Sequence, residues 1–133
     1  MFYDFLGEKK EADLHGALGM PPLGDPETRR RYCEALSRWK CEGYVVWKPG
    51  VEERLSSCLP EYTKRAVSEA MAEYVRRGGE IDQQPEIREQ WSEQYDYHYD
   101  LRIRIGGKLI YIETVFPDWE DDPSILVVNI HDA

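Results

Sequence analysis

The chain lacks any hydrophobic run long enough to cross a membrane. Its 133 residues contain no apolar stretch of the length that a spanning helix needs, and residues 1–10 have no apolar segment of the signal-peptide kind. Cysteine is scarce as well: Cys33, Cys41 and Cys58 are odd in number and lack C-x-x-C spacing, which is typical of reduced thiols. These absences predict a cytoplasmic protein that does not contact a membrane.

Basic residues are in the minority. The 17 Lys and Arg residues stand against 26 Asp and Glu residues, which gives a net charge of −9. Because nucleic-acid binding rests on neutralising phosphates, this charge disfavours nonspecific binding to messenger or ribosomal RNA. The chain also has no glycine-rich phosphate loop and no G-x-S-x-G, and its acidic segment 118–122 lacks the ligand spacing of a calcium loop. We predict neither a cofactor nor a metal ion.

What the sequence does have is a strong strand pattern near its end. Residues 95–105 alternate apolar and polar side chains, which is the period of a strand with one buried and one wet face. Gly106 and Gly107 supply the positive φ of a two-residue hairpin turn, and residues 108–116 return as the partner strand. Residues 124–131 form a third strand. Its continuously apolar middle predicts that it is the central strand, buried on both faces.

The two-residue turn also predicts which residues face one another. Asp100 faces Glu113 on the wet face of the hairpin, beside Arg102 and Arg104. Two opposed carboxylates destabilise a sheet unless something compensates for them. Three arrangements remain open: the arginines neutralise the acids, one carboxyl has a raised pKa, or a cation is bound between them.

The preceding part of the chain reads as an arm followed by helices. Residues 1–24 show no clear period and are predicted to be an arm, whereas Asp25 and Pro26 are a favoured N-cap and first residue of a helix. We further predict a strand at 44–47, helices at 51–59 and 61–77, and an acidic connector at 80–94 in which Arg88 is the one basic residue. This order predicts one α+β domain, residues 25–133. Its helices cover one face of a mainly antiparallel four-stranded sheet, and its N-terminal helix is additional to the β-α-α-β-β-β order.

From residue 43 to 133 this order resembles the RelE/ParE toxin superfamily of bacterial toxin–antitoxin systems. In those small domains a strand and two helices precede a three-stranded meander. The segment YVVWKPGVEERLSSCLP resembles the first strand and helix, YHYDLRIRIGGKLIYIETVF the second strand, turn and third strand, and SILVVNIHDA the final strand. The resemblance implies a RelE-like fold and leaves residues 1–41 without a counterpart.

The resemblance also implies a function. Ribosome-dependent members of the superfamily are endoribonucleases that make the 2′-hydroxyl of messenger RNA attack the adjacent phosphate, and a protein antitoxin neutralises them. The resemblance implies that Arg102 or Arg104 clamps the phosphate. It implies that Glu113 is the base and His131 the acid, and that Tyr111 orients the substrate or stacks on a base. The alternative is a RelE-like scaffold without catalysis. Such a scaffold would bind a protein partner, and its N-terminal helix would cover or extend the binding surface. The acidic charge favours this alternative.

Overall fold

A computed structural model describes residues 23–88, 95–116 and 123–133 of the chain. Its elements, in chain order, are α1 (Pro26–Ser37), β1 (Val45–Trp47), α2 (Val51–Cys58), α3 (Lys64–Arg76), β2 (Asp82–Pro85), β3 (Tyr97–Ile105), β4 (Lys108–Val115) and β5 (Ile125–Asp132). The class is α+β, as predicted. Almost all of the predicted arm, and the acidic segment 118–122, lie outside the described residues. None of the described helices is long and apolar enough to cross a membrane.

The strands form one five-stranded sheet in the order β1-β5-β4-β3-β2. β1 runs parallel to β5, and the other neighbouring strands are antiparallel. The prediction of a mainly antiparallel sheet of four strands was therefore wrong in its strand count, because the predicted connector contains β2. The sequence of β2, Asp-Gln-Gln-Pro, has no apolar alternation and no β-branched residue, so strand propensity does not reveal it. Pairing with β3 makes it a strand.

The central strand is β4, and the prediction that residues 124–131 take this place was also wrong. β5 lies between β1 and β4, and its side chains alternate for most of its length between buried and half-buried positions. Ile125 and Val127 are fully buried, whereas Leu126 and Val128 are half-buried. The apolar run of β5 therefore has one well-buried face rather than two.

Side-chain caps set where two helices begin. The carboxylate of Asp25 accepts a hydrogen bond from the Thr28 amide at 2.9 Å, which caps α1 as predicted. The hydroxyl of Thr63 accepts one from the Ala66 amide at 3.0 Å, so α3 begins at Lys64 rather than at residue 61. A cap three residues into the predicted helix explains the later start.

The three helices pack on one face of the sheet. They contribute to a core that is almost inaccessible to solvent, whose members include Tyr32, Leu36, Leu55, Met71, Leu101, Ile110, Ile112 and Val127. The hydroxyl of Tyr32 is 2.7 Å from Oγ1 of Thr114, which joins α1 directly to β4. The additional N-terminal helix is thus part of the helical layer and does not cover the opposite face of the sheet.

Candidate active site

The hairpin has the register that the sequence predicts. Gly106 and Gly107 have φ angles of 60° and 81°, and the strands on either side pair Asp100 with Glu113 and Arg102 with Tyr111. Since alternate residues of a strand point to opposite faces, these four side chains lie on the side away from the helices. We call this side the helix-free face.

β5 completes a row of polar side chains across the helix-free face. His131 pairs with Tyr111, which itself pairs with Arg102, so the three residues lie side by side on β5, β4 and β3. We call them the Arg-Tyr-His row. The rings of Tyr111 and His131 meet edge to face with their centroids 5.2 Å apart. His131 Nε2 lies 3.6 Å from Glu113 Oε2, which is too long for a hydrogen bond and close enough for both groups to act on one bound substrate.

Arg104 stands apart from this group. It pairs with Leu109 rather than with Tyr111, two residues beyond Arg102 along β3 and about 7 Å further from the centre of the row. It is exposed, and it forms no ion pair with a carboxylate among the described residues. Four of the five residues assigned from the sequence therefore come together, and Arg102 rather than Arg104 is the arginine beside Tyr111.

A second row on the same face consists of acids. Asp82 pairs with Asp100, and Asp100 pairs with Glu113, so three carboxylates lie side by side on β2, β3 and β4. We call them the carboxylate row. Asp82 and Asp100 are each only 1% exposed, although the alternation of the sequence predicted a wet face. Period two reveals which residues share a face, whereas tertiary packing decides how much of that face solvent reaches.

The residue that sequence reasoning missed is Arg88. Its Nη1 donates to Oε1 of Glu113 at 3.1 Å, and its Nε and Nη2 donate to the carboxylate of Glu86 at 2.9 Å each. Burial acts to raise the pKa of Glu86, but the hydrogen bonds from Arg88 outweigh it and the pKa is lowered. One feature of the sequence could have predicted the ion pairs of Arg88. Arg88 is a single arginine in an acidic connector, so many carboxylates lie near it along the chain.

The other acids of the carboxylate row are compensated differently. Burial raises the pKa of Asp100, and His98 opposes this by placing Nδ1 2.9 Å from Oδ1 of Asp100. That hydrogen bond raises the pKa of His98. Arg102 Nη2 lies 2.9 Å from Asp82 Oδ2 as an ion pair that is poorly aligned for a hydrogen bond, and burial raises the pKa of Asp82.

One of the three predicted arrangements occurs, because burial raises the pKa of Asp100. The prediction that Arg102 and Arg104 neutralise Asp100 and Glu113 was wrong: Arg88 pairs with Glu113, and Arg102 pairs with Asp82. For the third arrangement, the described part of the chain contains no group of three or more His, Cys, Asp or Glu side chains placed to hold a metal ion.

Comparison with known proteins adds no family to this description. Neither a protein family, nor a curated protein, nor a solved structure matches the chain. The chemistry of the site is therefore argued from its own groups.

The groups at the exposed end of the face are those of acid–base chemistry. Burial, reinforced by the charges of Asp100 and Asp82, raises the pKa of Tyr111 to about 12, so its phenol stays neutral at pH 7 and donates hydrogen bonds. Arg102 has 48% of its side chain exposed and His131 has 37%. A cation, a neutral donor, an imidazole and a carboxylate thus converge on one patch that a phosphate can reach.

Proposed function

We propose that this protein is an endoribonuclease of RelE-like fold. It cleaves RNA by making a 2′-hydroxyl group of the RNA attack the adjacent phosphate. The observation that carries the proposal is the Arg-Tyr-His row, with Glu113 3.6 Å from His131. Further support comes from the order of β1, α2, α3 and the meander β3-β4-β5, which the resemblance implies; β2 and α1 are additions to that order.

Each group has a separate role in the reaction. Glu113 accepts the proton of the 2′-hydroxyl, whose oxygen then forms a bond to phosphorus while the bond from phosphorus to the 5′-oxygen breaks. His131, in its protonated form, gives a proton to that leaving oxygen. Arg102 stabilises the negative charge that develops on the phosphoryl oxygens, and Tyr111 donates a hydrogen bond to them. The products are a 2′,3′-cyclic phosphate and a 5′-hydroxyl.

The test is expression of the full chain in a bacterium, followed by cleavage of ribosome-bound messenger RNA by the purified protein. We expect growth arrest and cleavage with the wild type, and a rate lowered on the order of 10²–10³ in Arg102→Ala and in His131→Ala. Arg76→Ala is the matched control, because Arg76 is an exposed arginine on α3 that pairs with Glu73. Harmless expression together with intact messenger RNA would show that the catalytic proposal is wrong.

A second candidate is a RelE-like scaffold without catalysis that binds an antitoxin-like protein. The compensation within the site favours it, since Arg88 is held by Glu86 and Glu113 and Arg102 faces Asp82, and so does the net charge of −9. The test is amide hydrogen exchange of the chain with and without a co-purifying partner. The scaffold predicts slower exchange on binding either in α1 or in β3 and β4, with no cleavage. Unchanged exchange in all three elements contradicts it.

A further inference from the structure

A basic cavity opens beside β5, between the start of α2 and the helix-free face. It has a volume of about 570 Å³, and Lys48, Arg54 and Arg88 line it together with Val128 and Asn129 of β5. No carboxylate is among its described lining residues. Arg88 is already paired with Glu86 and Glu113, whereas Lys48 and Arg54 form no ion pair among the described residues. In a chain with a net charge of −9, these two uncompensated cations make the cavity locally basic.

The end of β1 creates this cavity. β1 pairs with β5 as far as Val127, where the Lys48 amide donates to the Val127 carbonyl at 2.9 Å, and then turns away into α2. Beyond Val127, no described strand pairs with β5 on the side of β1, and residues of α2 lie near the end of β5 there. The first amide before α2 is partly occupied, since Gly50 N donates to Glu52 at 3.3 Å. The side-chain cations, rather than the start of the helix, therefore give the cavity its charge.

Arg88 connects the basic cavity to the candidate active site. It lines the cavity and also donates to Glu113, which pairs with Asn129 of the cavity wall. Arg54 makes a second connection, because it also lines a smaller cavity of about 320 Å³ whose wall includes His131 together with the acids Glu53 and Asp132. Among the described residues, the wall of the basic cavity thus carries three cations and no carboxylate, and one of those cations, Arg88, reaches Glu113 of the acid–base pair.

We infer that the basic cavity binds a second phosphate of single-stranded RNA, next to the one at the Arg-Tyr-His row. This inference rests on the proposed function and specifies that the substrate is an extended single strand of RNA. Guanidinium groups bind phosphate through paired donors, and the ammonium of Lys48 adds a point charge. Glu86 holds Arg88 in place before any ligand arrives, so less ordering is needed on binding. Local charge of this kind lets an acidic protein bind an anionic strand.

The test measures binding separately from cleavage. The probe is a fluorescently labelled single-stranded oligodeoxynucleotide, which has no 2′-hydroxyl and cannot react by the proposed mechanism. Its affinity for the full chain is measured by fluorescence anisotropy between about 50 and 200 mM salt. We expect Arg54→Ala and Lys48→Ala each to weaken binding roughly five- to tenfold and to reduce the slope of log affinity against log salt by about 0.7. Arg76→Ala, the matched control, should bind as the wild type does.

The outcomes separate this inference from the proposed function. If the oligodeoxynucleotide binds with the expected sensitivity to Arg54→Ala but no RNA is cleaved, the cavity site stands and the catalytic proposal fails. Equal affinity of wild type, Arg54→Ala and the charge reversal Arg54→Glu would overturn the cavity site, as would tighter binding of a polyglutamate peptide of equal charge, which would indicate an acidic protein partner. Arg54 is exposed on α2, and a thermal melt of each variant verifies that it is folded.

Discussion

The two faces of the sheet are built from alternate residues of the same strands, yet different interactions hold them. The helix-covered face buries aliphatic side chains such as Leu101, Ile110 and Ile112, which need only fit and exclude water. The helix-free face buries Asp82 and Asp100, which need a proton or a cation in a defined place. Both faces of the sheet therefore contain buried side chains. What differs is whether each buried group needs a specific partner.

The sharpest test of this comparison uses two neighbours on β4. Ile110 is fully buried on the helix-covered face, and Leu109 is 41% exposed on the helix-free face. We expect Ile110→Ala to lower the free energy of unfolding by about 3 kcal/mol, because it leaves a cavity, and Leu109→Ala to lower it by less than about 1 kcal/mol. Urea unfolding of both variants measures this, and equal losses would contradict the assignment of the faces.

A second prediction concerns the partner that the helix-free face requires. Arg88→Ala leaves the carboxylate of Glu86, whose side chain has no exposed area, without its guanidinium. We expect the free energy of unfolding to fall by about 2 kcal/mol, less than for a fully buried pair because one third of the Arg88 side chain is exposed.

A double-mutant cycle provides the control for Arg88. Adding Glu86→Gln to Arg88→Ala removes the unpaired charge, so part of the lost stability should return. If Arg88→Ala alone costs less than about 0.5 kcal/mol in urea unfolding, the ion pairs of this face are not what compensates its acids.

The smallest effect expected is a change in pH dependence. Burial raises the pKa of Asp82 above its ordinary value of 3.8, so the folded protein holds this proton more tightly than the unfolded chain does. The resulting stability is present below pH 3.8 and is lost as the pH rises through the folded value. We therefore expect Asp82→Asn to gain stability relative to the wild type as the pH is raised from about 4 to 7.

Urea unfolding at several pH values gives the difference curve between wild type and Asp82→Asn. The control is Asp96→Asn, which changes an exposed acid close to the same strands. His98 contributes in the same direction in both proteins, because its raised pKa makes its stabilisation fade as the pH rises above 6.5. A flat difference curve for Asp82→Asn would mean that Arg102 compensates Asp82 fully.

The parts that could be predicted from the sequence are those with a local cause. The alternation of residues 97–105, the glycine turn and the return strand predicted the pairing of Asp100 with Glu113 and of Arg102 with Tyr111. The Asp25 cap predicted the start of α1. In contrast, β2 has no strand pattern of its own and forms because β3 offers it a backbone to pair with.

The candidate site divides in the same way. The sequence by itself determined which face Arg102, Tyr111 and Glu113 share, because a strand's period and a two-residue turn leave one register. Only the tertiary structure decided that Arg88 lies against Glu113, from 25 residues away, and that Lys48 and Arg54 border the same patch. The face to which a strand residue points depends only on its position along that strand. Solvent exposure, pKa shifts and ion pairing depend on which distant segments fold against that strand, and a sequence pattern does not contain that information.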